Sequence, residues 1–172
     1  MKSKIWIVAV TMAVLASCGP SYRVTNRSGW ANVPVSMQNT FSSQYPGATD
    51  VTWSRYDAVN APIDWDLAGW PALTQGDYVV TFAMDNNNYY AWYDANGNWL
   101  GSTYSISDYK SLPEAVNTMI SDKYPGYSIA SVNREIRKDR LAYEIGLTNG
   151  DSKIKLLADE SGNIIKEKKI EK

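Results

Sequence analysis

The sequence predicts an α+β protein built from two tandem repeats, each one helix followed by about four antiparallel strands, with the helices packed on one sheet face. Three observations predict it. The tripeptide Tyr-Pro-Gly occurs twice, at Tyr45-Pro46-Gly47 and Tyr124-Pro125-Gly126. Apolar residues recur at four-residue steps before each copy, and they alternate with polar residues after it, which are the periods of a helix and of a half-buried strand. The turn Asp94-Ala-Asn-Gly97-Asn98 has a counterpart in Asp159-Glu-Ser-Gly162-Asn163.

The two copies align without a gap from Val33-Pro34 on Leu112-Pro113, through Met37 on Val116 and Phe41 on Ile120, to Arg55 on Arg134. Beyond that, Tyr78-Val80-Phe82 falls on Tyr143-Ile145-Leu147. The offset between copies drops from 79 residues at Pro46 and Pro125 to 65 at Gly97 and Gly162, so copy one carries 14 extra residues between Arg55 and Tyr78. Self-similarity of this kind marks a repeated supersecondary unit. The boundaries that follow are 1–17 for a signal peptide, 18–32 for a modified cysteine and tether, 33–107 for repeat 1 with its insertion at 57–76, and 108–172 for repeat 2.

The N-terminus begins Met-Lys-Ser-Lys, continues through the apolar run Ile5 to Val14, and reaches Leu15-Ala16-Ser17-Cys18. A basic start, a short apolar run and small residues before a cut site make a secretory signal. The run is too short to span a bilayer, which needs about 20 apolar residues. Leu15-Ala16-Ser17-Cys18 resembles the lipobox of bacterial lipoproteins, in which Cys18 receives the lipid. Ordinary cleavage leaving a free thiol is the alternative. Cys18 is the only cysteine, so no disulfide forms within the chain, and an exposed thiol in an oxidising compartment is a liability unless capped. Several acyl chains on Cys18 give stable anchoring. Gly19 rather than aspartate follows the cysteine, which leans towards the outer membrane, and no acidic run follows, which favours the periplasmic side. Gly19 to Asn32 reads as a flexible tether.

The formal net charge of −1 gives no electrostatic case for nucleic acid. The tail Lys166-Glu-Lys168-Lys169-Ile-Glu-Lys172 reads as a solvated final strand. Asn32 is positioned to cap the first helix, along which Val33, Met37, Phe41 and Tyr45 form one stripe. Ser111-Leu-Pro-Glu114 fits a capping box for the second, with Leu112, Val116, Met119, Ile120 and Tyr124 on its stripe. Val51-Thr-Trp53-Ser, Tyr78 to Met84 and Tyr143 to Leu147 read as strands, with hairpin turns at Asn86-Asn-Asn88 and Thr148-Asn-Gly150-Asp.

No histidine is present, which removes the commonest general base and metal ligand, and Cys18 is committed to lipid. No catalytic residue, metal site or cofactor is assigned. Asp64 and Asp66 in the insertion are spaced as paired acids of the sort used on glycosides, set against a solvated loop with no rigid element to fix them. Asp94-Ala-Asn96-Gly97 departs from a calcium loop, which needs glycine sixth and a bidentate Glu twelfth, and reads as a turn.

The aromatic load is heavy, with 7 Trp and 12 Tyr against 2 Phe. Ile154 and Leu156 alternate with Lys153 and Lys155, so the inward set of the matching strand in copy one is Tyr89, Ala91 and Tyr93. Tyr90 and Trp92 then lie on the outer face, and the insertion adds Trp65 and Trp70. Trp65, Trp70, Tyr90 and Trp92 are the candidate partner-binding residues. The alternative is that the insertion folds over that face and buries it as a secondary core.

The repeated helix, Tyr-Pro-Gly, strands, Tyr-Asp-x-Asn-Gly-x-Trp/Ile turn and Leu-Pro-x-x-Val helix start resemble the PepSY-like, β-lactamase-inhibitor-like (BLIP-like) lipoproteins of Bacteroidetes-type bacteria. The resemblance covers about Val33 to Ile165. It implies two tandem α-plus-antiparallel-sheet units and a periplasmic address, with an inhibitor role carried by fold analogy alone. It supplies no catalytic motif. The expected function is a lipid-anchored, non-catalytic module that binds an envelope or secreted protein, contacting the membrane only through its lipid. A glycan-binding lipoprotein using exposed aromatics is the alternative.

Overall fold

The computed structural model describes residues 27–28, 32–56 and 63–170. The signal segment, Cys18 and the first part of the insertion lie outside them. The elements in order are β1 (Arg27–Ser28), α1 (Val35–Gln44), β2 (Thr49–Arg55), α2 (Trp65–Ala68), β3 (Tyr78–Met84), β4 (Asn87–Tyr93), β5 (Trp99–Ser105), α3 (Glu114–Lys123), β6 (Ser128–Ile136), β7 (Leu141–Asn149), β8 (Ser152–Asp159) and β9 (Ile164–Ile170). Strands β2 to β9 form one antiparallel sheet in sequence order, and β1 extends it by pairing parallel with β2. The tether therefore contributes Arg27–Ser28 to the sheet rather than remaining wholly free, where it covers the β2 edge.

Both longer helices stop at the Tyr-Pro-Gly. Tyr45 donates its backbone N–H to the Phe41 carbonyl, and Tyr124 does the same to Ile120. Their starts differ from expectation, because Pro34 and Pro113 are the N-caps and no side chain caps either helix. A proline forces the residue before it into extended backbone, so the helix begins after the proline and not at Asn32 or Ser111. Ser111 Oγ instead donates to the Asp108 carbonyl. Gln38 and Asn117 hold the turn at each start, donating to the Val33 and Leu112 carbonyls at 2.9 and 3.3 Å.

Helix α1 seats Met37 and Phe41 against Trp53, Val80, Phe82, Tyr89 and Tyr93. Helix α3 seats Val116, Met119 and Ile120 against Val132, Ile145, Leu147 and Leu156. The expected inward set of Tyr89, Ala91 and Tyr93 is buried here, as are Ile154 and Leu156. The first hairpin turns at Asp85 and Asn86, both with positive φ, one residue earlier than the asparagine run suggests. Asp94 and Asp159 close matching turns, each accepting two backbone N–H groups and an asparagine side chain. These bonds hold both carboxyls below the usual range, against burial in the case of Asp94. Gly97 and Gly162 supply the positive φ those turns need.

Candidate binding face

With α1 and α3 on the inner face, the outer face is built from the alternate residues of each strand. The short helix α2 of the insertion packs on that outer face, so the helices do not all share one face as expected. The ladder places Val79, Trp92 and Gly101 in one row and Thr81, Tyr90, Thr103, Glu135 and Ala142 in the next. The insertion crosses one end of this face. Trp70, Trp92, Ile63 and Ala68 form a buried cluster with Trp65, Tyr56, Leu73 and Tyr90 packed against it, and Leu67 closes over Ala142 and Leu157.

The cluster is a stack of edge-on indoles. Trp70 and Trp92 lie 5.0 Å apart at 76°, Trp65 and Trp92 5.2 Å apart at 75°, and Tyr90 stacks beside Trp92 at 6.2 Å. Such edge-to-face pairs add to plain area burial. The six-membered ring of Trp70 sits against Gly101, where an added Cβ would stand 2.5 Å from its Cη2. A glycine within a strand often marks such a close approach.

Of the four candidate contact residues, the structure puts Trp70 and Trp92 inside, at 6% and 1% exposure, and leaves Trp65 and Tyr90 half-buried at the surface. The alternative in which the insertion covers the aromatic face therefore describes Trp70 and Trp92. Asp64 and Asp66 are not in a solvated loop. Asp64 caps α2 by accepting from the Leu67 N–H at 3.1 Å, and it meets Lys168 at 3.0 Å and Lys155 at 3.4 Å. Those partners hold its carboxyl below the usual range against the opposing effect of burial. Asp66 is exposed on the first turn. The two side chains thus part, one turned to the sheet and one to solvent, which gives no paired acids at a common centre.

Sequence reasoning missed the groups that fasten the insertion. Glu135 Oε2 accepts the Trp70 indole N–H at 3.0 Å and an Arg140 N–H at 3.3 Å, and Arg140 also donates to the Ala68 carbonyl at 2.6 Å. Glu144 Oε2 accepts the Asp64 backbone N–H at 2.7 Å, and its Oε1 lies 3.5 Å from Lys155. Arg137 donates to the Gly69 carbonyl at 3.1 Å. Burial pushes both glutamates above the ordinary carboxylate range, opposed by the indole and Arg140 at Glu135, and by the Asp64 N–H and Lys155 at Glu144. A signal was present: Leu156-Leu157-Ala158 breaks the Lys-apolar alternation, as a strand covered on both faces does.

Among the described residues there is no group of three or more metal-ligating side chains, and no helix long and apolar enough to cross a membrane.

Comparison with known proteins agrees with this architecture. No curated protein matches the chain. Three solved structures from Bacteroides resemble it: a BLIP-like protein of Bacteroides fragilis (TM-score 0.63, 21% identity, covering 80% of this chain and 86% of that one), a DUF2874 family protein of Bacteroides uniformis (0.63, 19%, 80% and 89%), and one of the "putative periplasmic proteins" of Bacteroides eggerthii (0.62, 16%, 80% and 89%). At these identities the likeness is one of fold. A family model described as "Putative beta-lactamase-inhibitor-like, PepSY-like" matches residues 76–166, more than half of the sequence. The chain belongs to the PepSY-like, β-lactamase-inhibitor-like family.

Proposed function

We propose that this protein is a non-catalytic binding module that holds another envelope or secreted protein on its outer sheet face, in the manner of an inhibitor. One observation carries the reading. Trp65 and Tyr90 stand half-exposed on a face whose supporting residues, Trp70 and Trp92, are locked in a buried stack. Aromatic side chains fixed before binding lose little freedom on contact, which is the property of interface residues that dominate affinity. The remainder of the face is polar and differs between its ends, with Lys153 and Lys168 exposed on β8 and β9 and Asn88 exposed on β4. Such asymmetry suits selection of one orientation of a partner.

The chain is further read as two copies of one unit. In support, Arg55 lies 4.0 Å over the ring of its ladder partner Tyr78, and Arg134 lies 5.9 Å over that of its own partner, Tyr143. Export and a lipid on Cys18, holding the module at the outer membrane on the periplasmic side, complete the proposal. The lipobox-like residues support the lipid, and the description of the Bacteroides eggerthii protein supports the periplasmic address alone.

The test is recovery of a partner from the envelope fraction by the full chain and by Trp65→Ala and Tyr90→Ala variants. A protein retained by the parent and lost by both, each worth about 2 kcal/mol or roughly thirty-fold in affinity, is expected. Equal retention by all three excludes this face. For the anchor, Cys18→Ala should release the protein into the soluble fraction, and unchanged membrane association would rule the lipid out.

A further inference from the structure

The uncovered end of the outer face holds a hollow of about 300 Å³ over β3 and β4, lined among others by Thr81, Ala83, Asn88 and Tyr90 and by Asp50 of β2. Thr81 pairs directly with Tyr90 and Ala83 with Asn88 in the ladder. Ala83 therefore leaves space between a ring on one side and an amide on the other. Asp50 reaches the hollow because the β2–β3 register slips between Thr49 and Thr52. Bulges of this kind re-aim a side chain. Its φ is +52°, a left-handed conformation uncommon outside glycine.

The other half of the sheet isolates what is special here. It keeps the register slip, between Ile129 and Ser131 of β6, but without a positive φ at Ile129. At the positions matching Thr81, Ala83, Asn88 and Tyr90, it has Gly146, Thr148, Lys153 and Lys155, again paired directly. The inward residues are apolar in both halves, so packing accounts for them. Packing does not account for the Asp, Thr, Asn and Tyr set. Among the described residues, no hydrogen bond engages the side chains of Asp50, Thr81, Asn88 or Tyr90.

We infer that this hollow is a saccharide subsite that takes one neutral pyranose ring, stacked on Tyr90 and held through its hydroxyls by Asp50, Asn88 and Thr81. The C–H face of a pyranose packs on an aromatic face. Vicinal hydroxyls both donate and accept, matching a carboxylate that only accepts, an amide that does both and a hydroxyl that does both. A cationic side chain offers donors alone and would leave the Asn88 amide N–H groups unused. The volume lies at the lower end for small-molecule pockets, which fits a single ring, and the open side lets a longer glycan continue outward. The site shares Tyr90 with the protein-binding reading but extends to Asp50, Thr81 and Asn88, which that reading does not use, so substitutions at Asp50 and Asn88 test it apart from Trp65→Ala.

The test is saturation-transfer NMR on the full chain in a non-glycosidic detergent, with the methyl β-glycosides of glucose, galactose and N-acetylglucosamine as probes. Transfer to the ring protons of at least one is expected. It should be lost in Asp50→Gly, which relieves the positive φ while removing the carboxylate, and reduced at least ten-fold in Asn88→Ala, an exposed position that does not endanger the fold. Transfer from none of the three, or transfer unchanged in Asp50→Gly, overturns the assignment. So does binding of N-acetyl-lysinamide in place of every glycoside, which would make the hollow a cation pocket.

Discussion

Replacing Trp70 with alanine should detach the insertion while leaving the sheet and its two helices folded. Trp70 is 6% exposed, packs against Trp65 at 5.2 Å and Trp92 at 5.0 Å, and donates its indole N–H to Glu135. Removing a buried tryptophan costs about 3–5 kcal/mol. The hydrogen bond taken from Glu135 adds about 1–3 kcal/mol, since that buried carboxylate keeps only Arg140. Even the lower figure is a large share of the roughly 5–15 kcal/mol that holds a domain together. The loss should nonetheless be local, because Trp70 belongs to neither of the cores under α1 and α3. Hydrogen exchange reads this residue by residue. The Ala68 and Gly69 amides, which donate to the Asp64 and Trp65 carbonyls, should exchange at the rate of an open chain in Trp70→Ala, with the Val80 and Ile145 amides still protected. Trp70→Phe keeps most of the ring contact and should retain part of the protection. Unchanged protection at Ala68 and Gly69 would refute the fastening role. Global unfolding would refute the separateness of the insertion from the two cores.

Two further outcomes follow from the packing and the charges. Gly162→Ala should destabilise far more than Gly97→Ala in parallel thermal melts, although both turns have positive φ. A Cβ at 162 would stand 2.5 Å from the Ala115 carbonyl oxygen, while one at 97 meets only the flexible Met37 side chain at 3.7 Å; equal losses would contradict this. Stability should decline as pH rises from the ordinary glutamate value of 4.5, because burial raises Glu135 and Glu144 in the folded state and the folded protein then binds more protons than the unfolded one. Glu135→Gln should flatten that decline in denaturant titrations run from pH 4.5 upward, and an unchanged slope would contradict it. Asp64, Asp94 and Asp159 act the other way at lower pH, where their depressed carboxyls become protonated and the contribution of their hydrogen bonds is lost.

What was legible in the sequence is what local chemistry decides. The Tyr-Pro-Gly stops, the helical stripes, the strand alternation and the Asp-Gly turns all depend on residues near one another, and each appears where its pattern lies. The helix starts depart from their capping patterns because proline restricts the residue before it, which places the N-caps at Pro34 and Pro113 in spite of the capping residues nearby. The insertion was harder for a different reason. The polar partners of residues 64–70 beyond the insertion are 65 to 104 residues away, from Trp70 with Glu135 to Asp64 with Lys168, and no periodicity encodes a contact of that range. Aromatic content named Trp65, Trp70, Tyr90 and Trp92, but it could not separate the two that support the face from the two at its surface. Asp64 and Asp66 resembled paired acids only in an extended chain, and one turn of helix sends them apart.

Photocrosslinking in whole envelopes distinguishes a partner docked on the outer sheet face from one docked on the side of α1 and α3. A photoreactive amino acid would replace Tyr90 on the outer face in one variant, and Thr118, exposed on α3, in another. A discrete crosslinked protein is expected from position 90 and none from position 118. A crosslink from 118 alone would contradict outer-face docking, and would move the docking face to the helices.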